Sequence, residues 1–381
     1  MNILLSIHHN LNKNEGAPGV TYQLYQEYEK LGHHASIYSF DSIPSYVPNK
    51  LKSFLFPLFF FLYVKINARK QNIDVIDASS GDAWILSLFR NRKKKSETLL
   101  ISRSHGLEHT VHDSLLDQQH IGNVKLSWKY PIYHGGIRLW EVATSFRKAD
   151  GCLFLNDYDL IYSIEKLKIN RQYSRTISNG LPDYFIDLPV NILSIEKKDK
   201  VHIVQIGSYI SRKGIFYTAK AMNSILKKYP NVELSFIGTG CMAEKVLEDY
   251  DPAVHNQIQV ISKYEHQELP ILLQGKHILL FPSLAEGFGL VLIEAMACGL
   301  APLATATQGP LMILKDGYDS KIIPPADYES IENVLNYLFS NTNMLDQLRH
   351  NAYETAQQYK WSEIAKDTIH FYEKISKKEI G

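Results

Sequence analysis

Two glutamates in the second half of the chain are spaced for binding a ligand rich in hydroxyl groups. Glu286 follows an apolar run that ends at Phe281, and Glu294 comes after seven intervening residues, inside an apolar stretch with helical spacing. Helical side chains lean toward the N-terminus, so Glu294 reaches back over the start of that helix. Ionised carboxylates only accept hydrogen bonds. We therefore expect Glu286 to accept them from a sugar, and Glu294 from a vicinal diol such as a ribose.

The segment between the two glutamates suits an anion. Gly287 and Gly289 let the backbone approach a ligand closely, and the N–H groups at a helix start favour negative charge such as a diphosphate. The alternative is that Glu286 caps the helix and Glu294 is a solvated helix residue. The apolar neighbours of Glu294 argue against solvation.

A pair of cations follows another apolar run, residues 201–206. Gly207 ends this run, and Arg212 and Lys213 stand just before Gly214, which opens the next helical pattern. An arginine can bind phosphate oxygens bidentately, whereas a lysine acts as a point charge. The pair is thus expected to hold a diphosphate, and the alternative is a solvated turn.

Alternating strands and helices must position these residues. In the first half, a strand at 2–7, a loop at 16–19, a helix at 20–31 and a strand at 35–39 form the opening of a parallel α/β sheet. Residues 112–130 show no clear hydrophobic periodicity and are expected to be loop or loosely helical. Residues 188–200 are polar and charged, and we expect them to form a linker. Further strands are expected at 74–77, 98–102, 151–155, 201–206, 232–237, 257–261, 277–281 and 301–304, and helices at 215–228, 243–249, 268–274 and 290–297.

This pattern predicts two doubly wound, Rossmann-like α/β domains in tandem. Ligands of such sheets bind beyond the carboxyl ends of the strands, where the strand order reverses. We expect the site in a cleft between the two domains.

Composition excludes several classes of protein. The chain has 381 residues, of which 45% are hydrophobic and 21% charged, with a net charge of +1, so it is globular and has no general preference for nucleic acid. Its three scattered cysteines show no metal or disulfide spacing. They favour a reducing cytoplasm, and the apolar start is typical of a strand, not of a signal peptide.

The apolar segment 53–64 is too short to span a bilayer, which takes roughly 20 residues, and it contains Pro57. Lysines and an arginine flank it, and residues 90–95 add a basic cluster. Two interpretations stay open: a helix lying in an anionic membrane interface, or a buried helix of the first domain.

Some polar residues receive no firm role. Asp157 and Asp159 are too few for a metal site, and turn chemistry accounts more simply for Asp77 and Asp82. Tyr264 is a weak candidate for a contact with the nucleoside base. His8 and His9 are expected to be solvated or packed.

The glutamate segment resembles the Glu-x7-Glu motif of the retaining glycosyltransferases of family 4, which have the two-domain GT-B fold. It reads Pro-Ser-Leu-Ala-Glu286-Gly-Phe-Gly and ends in Glu294-Ala-Met-Ala-Cys-Gly. Weaker resemblances are the glycines Gly16 and Gly19, the segment Leu-Gly-His-His-Ala at 31–35 and Asn-Gly at 179–180. Together they span nearly the full chain.

The resemblance implies a role for each matching residue. Glu286 would contact the donor sugar, Glu294 the ribose, and Arg212 and Lys213 the diphosphate. Many members have an arginine where this chain has Ser208. The remaining implied donor contacts are the glycine loop, the strand end and the backbone after Glu286: Gly16, Gly19, Gly207, Phe288, Gly289 and Leu290.

Ser104-His105-Gly106 resembles the segment that brings a histidine of the first domain to the donor sugar. His105 would then be catalytic, donating to a sugar hydroxyl or stabilising positive charge. His109 and His112 are close in sequence, and a lone histidine is otherwise structural.

The resemblance implies a domain at 1–190 on the acceptor side and a nucleotide-sugar domain at 191–360, with residues 361–381 packing back onto the first. The expected reaction is a metal-independent, retaining transfer from a nucleotide-diphosphate sugar, without a cofactor, to a glycan or lipid-linked acceptor of the cell envelope or of an exopolysaccharide. The expected place is the cytoplasm, with possible contact to the inner face of the membrane. A sugar-nucleotide epimerase or a non-catalytic sugar-nucleotide-binding partner is the alternative.

Overall fold

The chain folds into two compact units. The structure is a computed structural model, and it describes residues 1–13, 16–90, 98–122, 126–190, 192 and 200–377. Spatial contacts assign Met1–Asp113, Leu126–Gly180 and Trp361–Gly381 to the first unit, and Ser114–Lys125 and Leu181–Lys360 to the second. The domain limits at 1–190 and 191–360 stay a prediction, since most of the expected linker and of the basic cluster at 90–95 lies outside the described residues.

The first unit contains a parallel six-stranded sheet in the order β2-β1-β3-β4-β5-β6. The strand next to β1 is β2 on one side and β3 on the other, so the direction of winding reverses between β1 and β3. The strands are β1 (Asn2–Ser6), β2 (His34–Tyr38), β3 (Val75–Ser79), β4 (Leu99–Arg103), β5 (Gly151–Phe154) and β6 (Ser174–Thr176).

Within the described residues, the first half of the chain also forms six α-helices, and a seventh, α14, returns from the C-terminal end. The helices are α1 (Gly16–Lys30), α2 (Asn49–Asn67), α3 (Trp84–Phe89), α4 (Glu108–His120), α5 (Arg138–Lys148), α6 (Asp157–Glu165) and α14 (Trp361–Lys377).

One expectation for this half was wrong. Residues 16–19 are the first turn of α1 and not a loop, because Pro18 lies where a helix has no N–H to lose. Of the two states expected for residues 112–130, loop or loosely helical, residues 112–120 are helical as part of α4. This helix buries only His109 and Thr110, so it has no apolar stripe from which its period could be recognised.

The second unit repeats the architecture in the order β12-β11-β10-β7-β8-β9, all parallel. Its winding reverses between β7 and β10. The strands are β7 (Val201–Ile206), β8 (Val232–Ile237), β9 (Ile258–Ile261), β10 (Ile278–Phe281), β11 (Ala301–Thr305) and β12 (Lys321–Ile323). The helices are α7 (Ile215–Lys228), α8 (Ala243–Leu247), α9 (Leu269–Leu273), α10 (Leu290–Ala297), α11 (Gln308–Ile313), α12 (Tyr328–Ser340) and α13 (Thr342–Ala356).

The returning helix α14 is fastened to the first unit by buried polar contacts. Tyr372 lies 3.1 Å from the hydroxyl of Tyr28 and donates to Asp77. The same carboxylate accepts two hydrogen bonds from Arg103, at 2.9 and 2.7 Å. Asp77 is therefore a structural ion-pair partner, and the predicted turn role for this residue was wrong.

Helix α2 has one buried and one exposed apolar face. Phe56, Phe60 and Val64 enter the core of the first unit. The opposite face is solvent-exposed at Leu51, Phe54, Leu58, Leu62 and Ile66. Within the described residues, none of the helices combines the length and the apolar character needed to cross a bilayer.

Candidate functional site

The loops after β7 and β10 meet where the winding of the second sheet reverses, the usual position of a ligand site in this architecture. The first loop carries Arg212 and Lys213, and the second carries Glu286. The two groups that the sequence predicts for phosphate and for sugar thus lie side by side.

A glycine allows the two loops to pack closely. Gly214 has a left-handed φ of +72°, and a Cβ on it would lie 2.0 Å from the carbonyl oxygen of Pro282. No other residue fits at this position without moving the backbone. In addition, Leu284 donates its N–H to the carbonyl of Arg212 at 2.9 Å.

Lys213 and Glu286 form an ion pair, with Nζ 2.6 Å from Oε2. Their side chains are only 19% and 15% exposed, respectively, and the ammonium also lies 5.3 Å from the ring centre of Phe281. Lys213 is therefore not in a solvated turn. A ligand that places a phosphate beside a hydroxyl matches this pair, because each group would take over one of the two charges.

The loop around Glu286 is held from two sides. Arg212 donates from Nη1 to the carbonyl of Ala285 at 3.0 Å. On the other side, Gly309 donates its N–H to the carbonyl of Glu286 at 2.9 Å, and a Cβ on Gly309 would lie 2.4 Å from the carbonyl oxygen of Phe288. The position of Glu286 is thus fixed by backbone packing before any ligand binds.

Helix α10 starts at Leu290 with Gly289 as its N-cap, at a φ of +87°. No side chain in the described part of the chain caps it, so Glu286 is not a helix cap. The ring of Phe288 is buried, which leaves only the backbone of this residue available to a ligand. The N-terminus of α10 therefore offers its positive dipole end beside Glu286.

Glu294 is 3% exposed, which rules out the solvated alternative. Its Oε1 lies 2.9 Å from Nε2 of His266, in the turn after β9. The hydroxyl of Tyr184 lies 2.5 Å from the other nitrogen of the same ring. Burial by itself would lower the pKa of His266, but the hydrogen bond and charge of Glu294 outweigh it and raise that pKa above its usual value.

The sequence did not predict His266 or Tyr184. For His266 the sequence signal was the polar turn 262–268 at the carboxyl end of β9, and Tyr184 had no such signal in the sequence. His266 and Tyr184 orient Glu294, because the hydrogen bond to the imidazole fixes one carboxylate oxygen and leaves the other available to a ligand. Tyr264, from the same turn, packs on Gly238, where a Cβ would meet its ring at 2.8 Å.

His105 lies at the carboxyl end of β4, in the first unit. Its Nε2 is 2.9 Å from Oγ of Ser79, and Ser79 donates its only hydroxyl proton to the carbonyl of Ser6 at 2.7 Å. Nε2 therefore carries the hydrogen, and Nδ1 has the free lone pair. Burial and the nearby Arg103 guanidinium lower the pKa of His105 to about 4. The ring is therefore neutral and presents Nδ1 as an acceptor in this arrangement, and the catalytic role expected for His105 from the sequence stays a prediction.

Other residues of the first unit have structural contacts. Gly16 and Gly19 lie in the first turn of α1, where a Cβ on Gly19 would approach the carbonyl of Lys13 to 3.0 Å. Asp159 accepts from Leu107 N–H at 3.1 Å and thereby braces the turn after His105. Among the described residues, no group of three or more His, Cys, Asp or Glu side chains lies close enough to bind a metal.

Comparison with known proteins matches residues 192–355 to the family described as glycosyl transferases group 1. An uncharacterized glycosyltransferase of Methanocaldococcus jannaschii is 28% identical over 221 residues, which is 54% of this chain and 55% of the relative. The phosphatidyl-myo-inositol mannosyltransferase of Mycolicibacterium smegmatis is 25% identical over 43% of this chain and 42% of its own length. The aligned part thus spans about half or less of these relatives.

Similarity to solved structures extends over almost the whole chain. Sucrose-phosphate synthase from Thermosynechococcus elongatus superposes with a TM-score of 0.78 at 18% identity, covering 98% of both chains. Anabaena HepE in complex with UDP-glucose gives 0.69 at 16% identity, covering 97% of this chain and 98% of that one. The chain therefore has the GT-B fold, and residues 192–355 of its second unit are similar to the family described as glycosyl transferases group 1.

Proposed function

We propose that this protein is a retaining glycosyltransferase of family 4 that moves a sugar from a nucleotide-diphosphate sugar to a hydroxyl group of a glycan or lipid-linked acceptor. One observation carries the proposal: the Lys213–Glu286 ion pair at the reversal point of the second sheet, next to the buried Glu294. A UDP-glucose complex of a protein with the same fold supports the donor class.

The donor would replace the contacts present in the free protein. Its diphosphate takes Lys213 and Arg212, assisted by the backbone N–H groups of residues 288–290. The hydroxyl groups of the sugar bind Glu286, and the ribose diol binds the available oxygen of Glu294. Gly207, with a left-handed φ of +118°, places the end of β7 beside the Lys213 side chain.

The proposed reaction uses these contacts. The bond between the anomeric carbon and the phosphate oxygen breaks, and the acceptor oxygen bonds to the same face of that carbon. The acceptor proton passes to the departing phosphate oxygen. Arg212, Lys213 and the N-terminus of α10 stabilise the charge that develops on the diphosphate, so the mechanism needs neither a metal nor a carboxylate nucleophile.

His105 is the proposed catalytic residue of the first unit and presents a hydrogen-bond acceptor. Its Nδ1 would accept from a hydroxyl of the donor sugar, while Ser79 holds the other nitrogen. Gly16 and Gly19, in the first turn of α1, stay proposed donor-binding residues.

A panel of UDP-, GDP- and ADP-sugars tests donor binding by thermal shift, because a ligand of the native state raises the apparent stability. At least one nucleotide sugar should raise Tm in the wild type but not in Glu286→Ala or Glu294→Ala. If the nucleotide sugar raises the Tm of the variants as much as that of the wild type, the assignment of Glu286 and Glu294 to the donor site is wrong. Incubation with the donor alone separates the alternatives, since only an epimerase then makes a new nucleotide sugar.

We further propose that the exposed face of α2 binds an anionic membrane, which would bring the protein to a lipid-linked acceptor. Leu51, Phe54, Leu58, Leu62 and Ile66 recur every three or four residues and are 42–59% exposed. Basic residues flank them on the same helix and just after it: Lys50, Lys52, Lys65, Arg69 and Lys70.

The printed name of the mycobacterial relative supports a lipid acceptor, since that protein acts on phosphatidyl-myo-inositol. A role in cell-envelope or exopolysaccharide synthesis at the inner face of the membrane is part of this proposal.

Sedimentation with vesicles tests the membrane contact. Vesicles with about 30% phosphatidylglycerol in phosphatidylcholine should bind the wild type, and Phe54→Asp with Leu62→Asp should abolish binding without lowering Tm. Ile271→Asp, at a 73% exposed site of the second unit, is the matched control. Equal binding to pure phosphatidylcholine, or dimerisation lost in the double variant, would instead identify a nonionic or protein contact.

A further inference from the structure

The reversal point of the first sheet has its own polar cluster, which the proposed donor contacts do not use. His8 follows β1 and Asp82 follows β3, the two strands between which the winding reverses. Nδ1 of His8 lies 2.7 Å from Oδ1 of Asp82, and Ser6 donates to Oδ2 at 2.8 Å. Asp82 is completely buried. The rule that ligands of such sheets bind where the winding reverses makes this edge a candidate ligand site of the first unit.

Arg138, at the start of α5, joins the cluster. Its Nη2 is 3.2 Å from Nε2 of His8 and 3.2 Å from Oε1 of Glu108, and its Nη1 is 3.5 Å from Glu141. A guanidinium only donates, so Nε2 of His8 accepts and its Nδ1–H donates to Asp82.

The charge of the cluster is negative. One guanidinium faces the carboxylates of Asp82, Glu108 and Glu141, and Arg138 is only 13% exposed. Burial raises the pKa of Glu141, and Arg138 opposes that rise. A phosphate that binds here would be repelled by the excess of carboxylates and would have to displace them from Arg138. A neutral ligand avoids both the repulsion and the loss of these ion pairs.

At this edge, Oε2 of Glu108 is a buried acceptor without a partner within the described residues. Glu108 lies on the segment that follows β4, and Arg138 links it to His8. Buried acceptors are almost always satisfied. This oxygen therefore needs a hydrogen-bond donor, and a hydroxyl group supplies one without adding charge.

We propose that Glu108, oriented by Arg138, is a specificity-determining residue of an acceptor subsite that binds the hydroxyl groups of a neutral sugar and discriminates against a phosphorylated one. This inference rests on the proposed function, because it names the acceptor class of that reaction. His8 and Asp82 are positioning residues, since they act through Arg138.

Comparing Glu108→Gln with Glu141→Gln distinguishes the loss of a hydrogen-bond acceptor from the loss of a negative charge. Each substitution removes one carboxylate beside Arg138, but of these two residues only Glu108 has a fully buried oxygen without a hydrogen-bond partner in the described part of the chain. The probes are methyl glycosides of glucose, mannose, galactose and N-acetylglucosamine, with glucose 6-phosphate and mannose 6-phosphate as anionic counterparts. Binding is measured by saturation-transfer NMR, and nucleotide release from the donor gives KM and kcat.

At least one methyl glycoside should bind the wild type, more tightly than its 6-phosphate. Glu108→Gln should raise its KM at least tenfold, while Glu141→Gln changes it less than threefold. Donor binding by thermal shift should be the same in all three proteins, and unchanged Tm values without ligand show that the variants fold.

The inference is overturned if the sugar phosphates bind better than the glycosides, if no glycoside binds, or if the two variants have equal KM values. Donor binding distinguishes this failure from a failure of the proposed function. A protein that binds a nucleotide sugar but fails these tests retains the proposed function, whereas one that binds no nucleotide sugar loses it.

Discussion

The proposed donor diphosphate has to displace Glu286 from Lys213, and this competition predicts opposite effects for two variants. The ion pair is 2.6 Å long and joins side chains that are 19% and 15% exposed. Lys213→Met removes the cation proposed to bind phosphate. Glu286→Gln releases that cation but removes the carboxylate proposed to bind the sugar.

The magnitudes follow from the geometry. A hydrogen bond to a charged group contributes about 1.5–3 kcal/mol, and 1.4 kcal/mol corresponds to a factor of about ten, so Lys213→Met should weaken binding of a nucleoside diphosphate roughly 10- to 100-fold. A partly exposed ion pair contributes on the order of 1 kcal/mol. Glu286→Gln should therefore strengthen nucleoside diphosphate binding by up to about fivefold, while transfer from the nucleotide sugar falls at least 100-fold.

Isothermal titration with UDP, GDP and ADP measures both effects, and the tightest of the three is used throughout. Lys245 and Glu248 form a comparable pair of 2.5 Å whose side chains are 64% and 61% exposed. Lys245→Met and Glu248→Gln are therefore the matched controls and should leave binding unchanged. The reasoning is refuted if Lys213→Met binds the diphosphate like the wild type, or if Glu286→Gln weakens binding as much as Lys213→Met does.

Three further predictions concern stability. Gly214→Ala should lower Tm and abolish donor binding, because its Cβ would lie 2.0 Å from a carbonyl oxygen, whereas Gly275→Ala has the same φ of +72° in open space and should cost only about 1 kcal/mol. The pKa of His266 is raised in the folded state. The Tm of the wild type should therefore exceed that of His266→Gln by the largest amount below pH 6.5, and this excess should shrink as the pH rises through the raised pKa. A Tm difference that does not change with pH would contradict this prediction. The pKa of His105 is lowered to about 4. As the pH falls from 6.5 to 4, the free energy of unfolding of the wild type should therefore fall by about 1–3 kcal/mol relative to that of His105→Gln, measured by urea unfolding. Parallel pH profiles of the two proteins would count against a neutral His105.

The architecture was predictable because each strand of a parallel sheet is a short apolar run with a turn at its end. Seven of the eight strands predicted after the first β-loop-α-β unit differ from the observed strands by at most one residue at either end, and all lie in the predicted order. The failures have a physical cause. Helix α4 buries almost nothing, so periodicity could not reveal it, and the first turn of α1 contains glycines and a proline that usually signal a loop.

The site was predictable only where its residues are adjacent in sequence. Glu286 and Glu294 belong to one loop and helix, and Arg212 and Lys213 to another. The partners of these residues come from elsewhere in the chain. His266 reaches Glu294 from a different strand end, and Arg138 reaches His8 across 130 residues. Only the fold brings such pairs together, and the proton positions on His8 and His105 follow from those contacts.

The proposed reaction is tested most directly by the anomeric configuration of its product. The wild type is incubated with the nucleotide sugar that stabilises it and with the methyl glycoside that it binds, and the new glycosidic linkage is read from its NMR coupling constant. We expect one nucleoside diphosphate released for each linkage formed, an α-linked product from an α-linked donor, and no product with Glu286→Ala. A β-linked product from that donor, or transfer by Glu286→Ala at the wild-type rate, would contradict the proposed reaction.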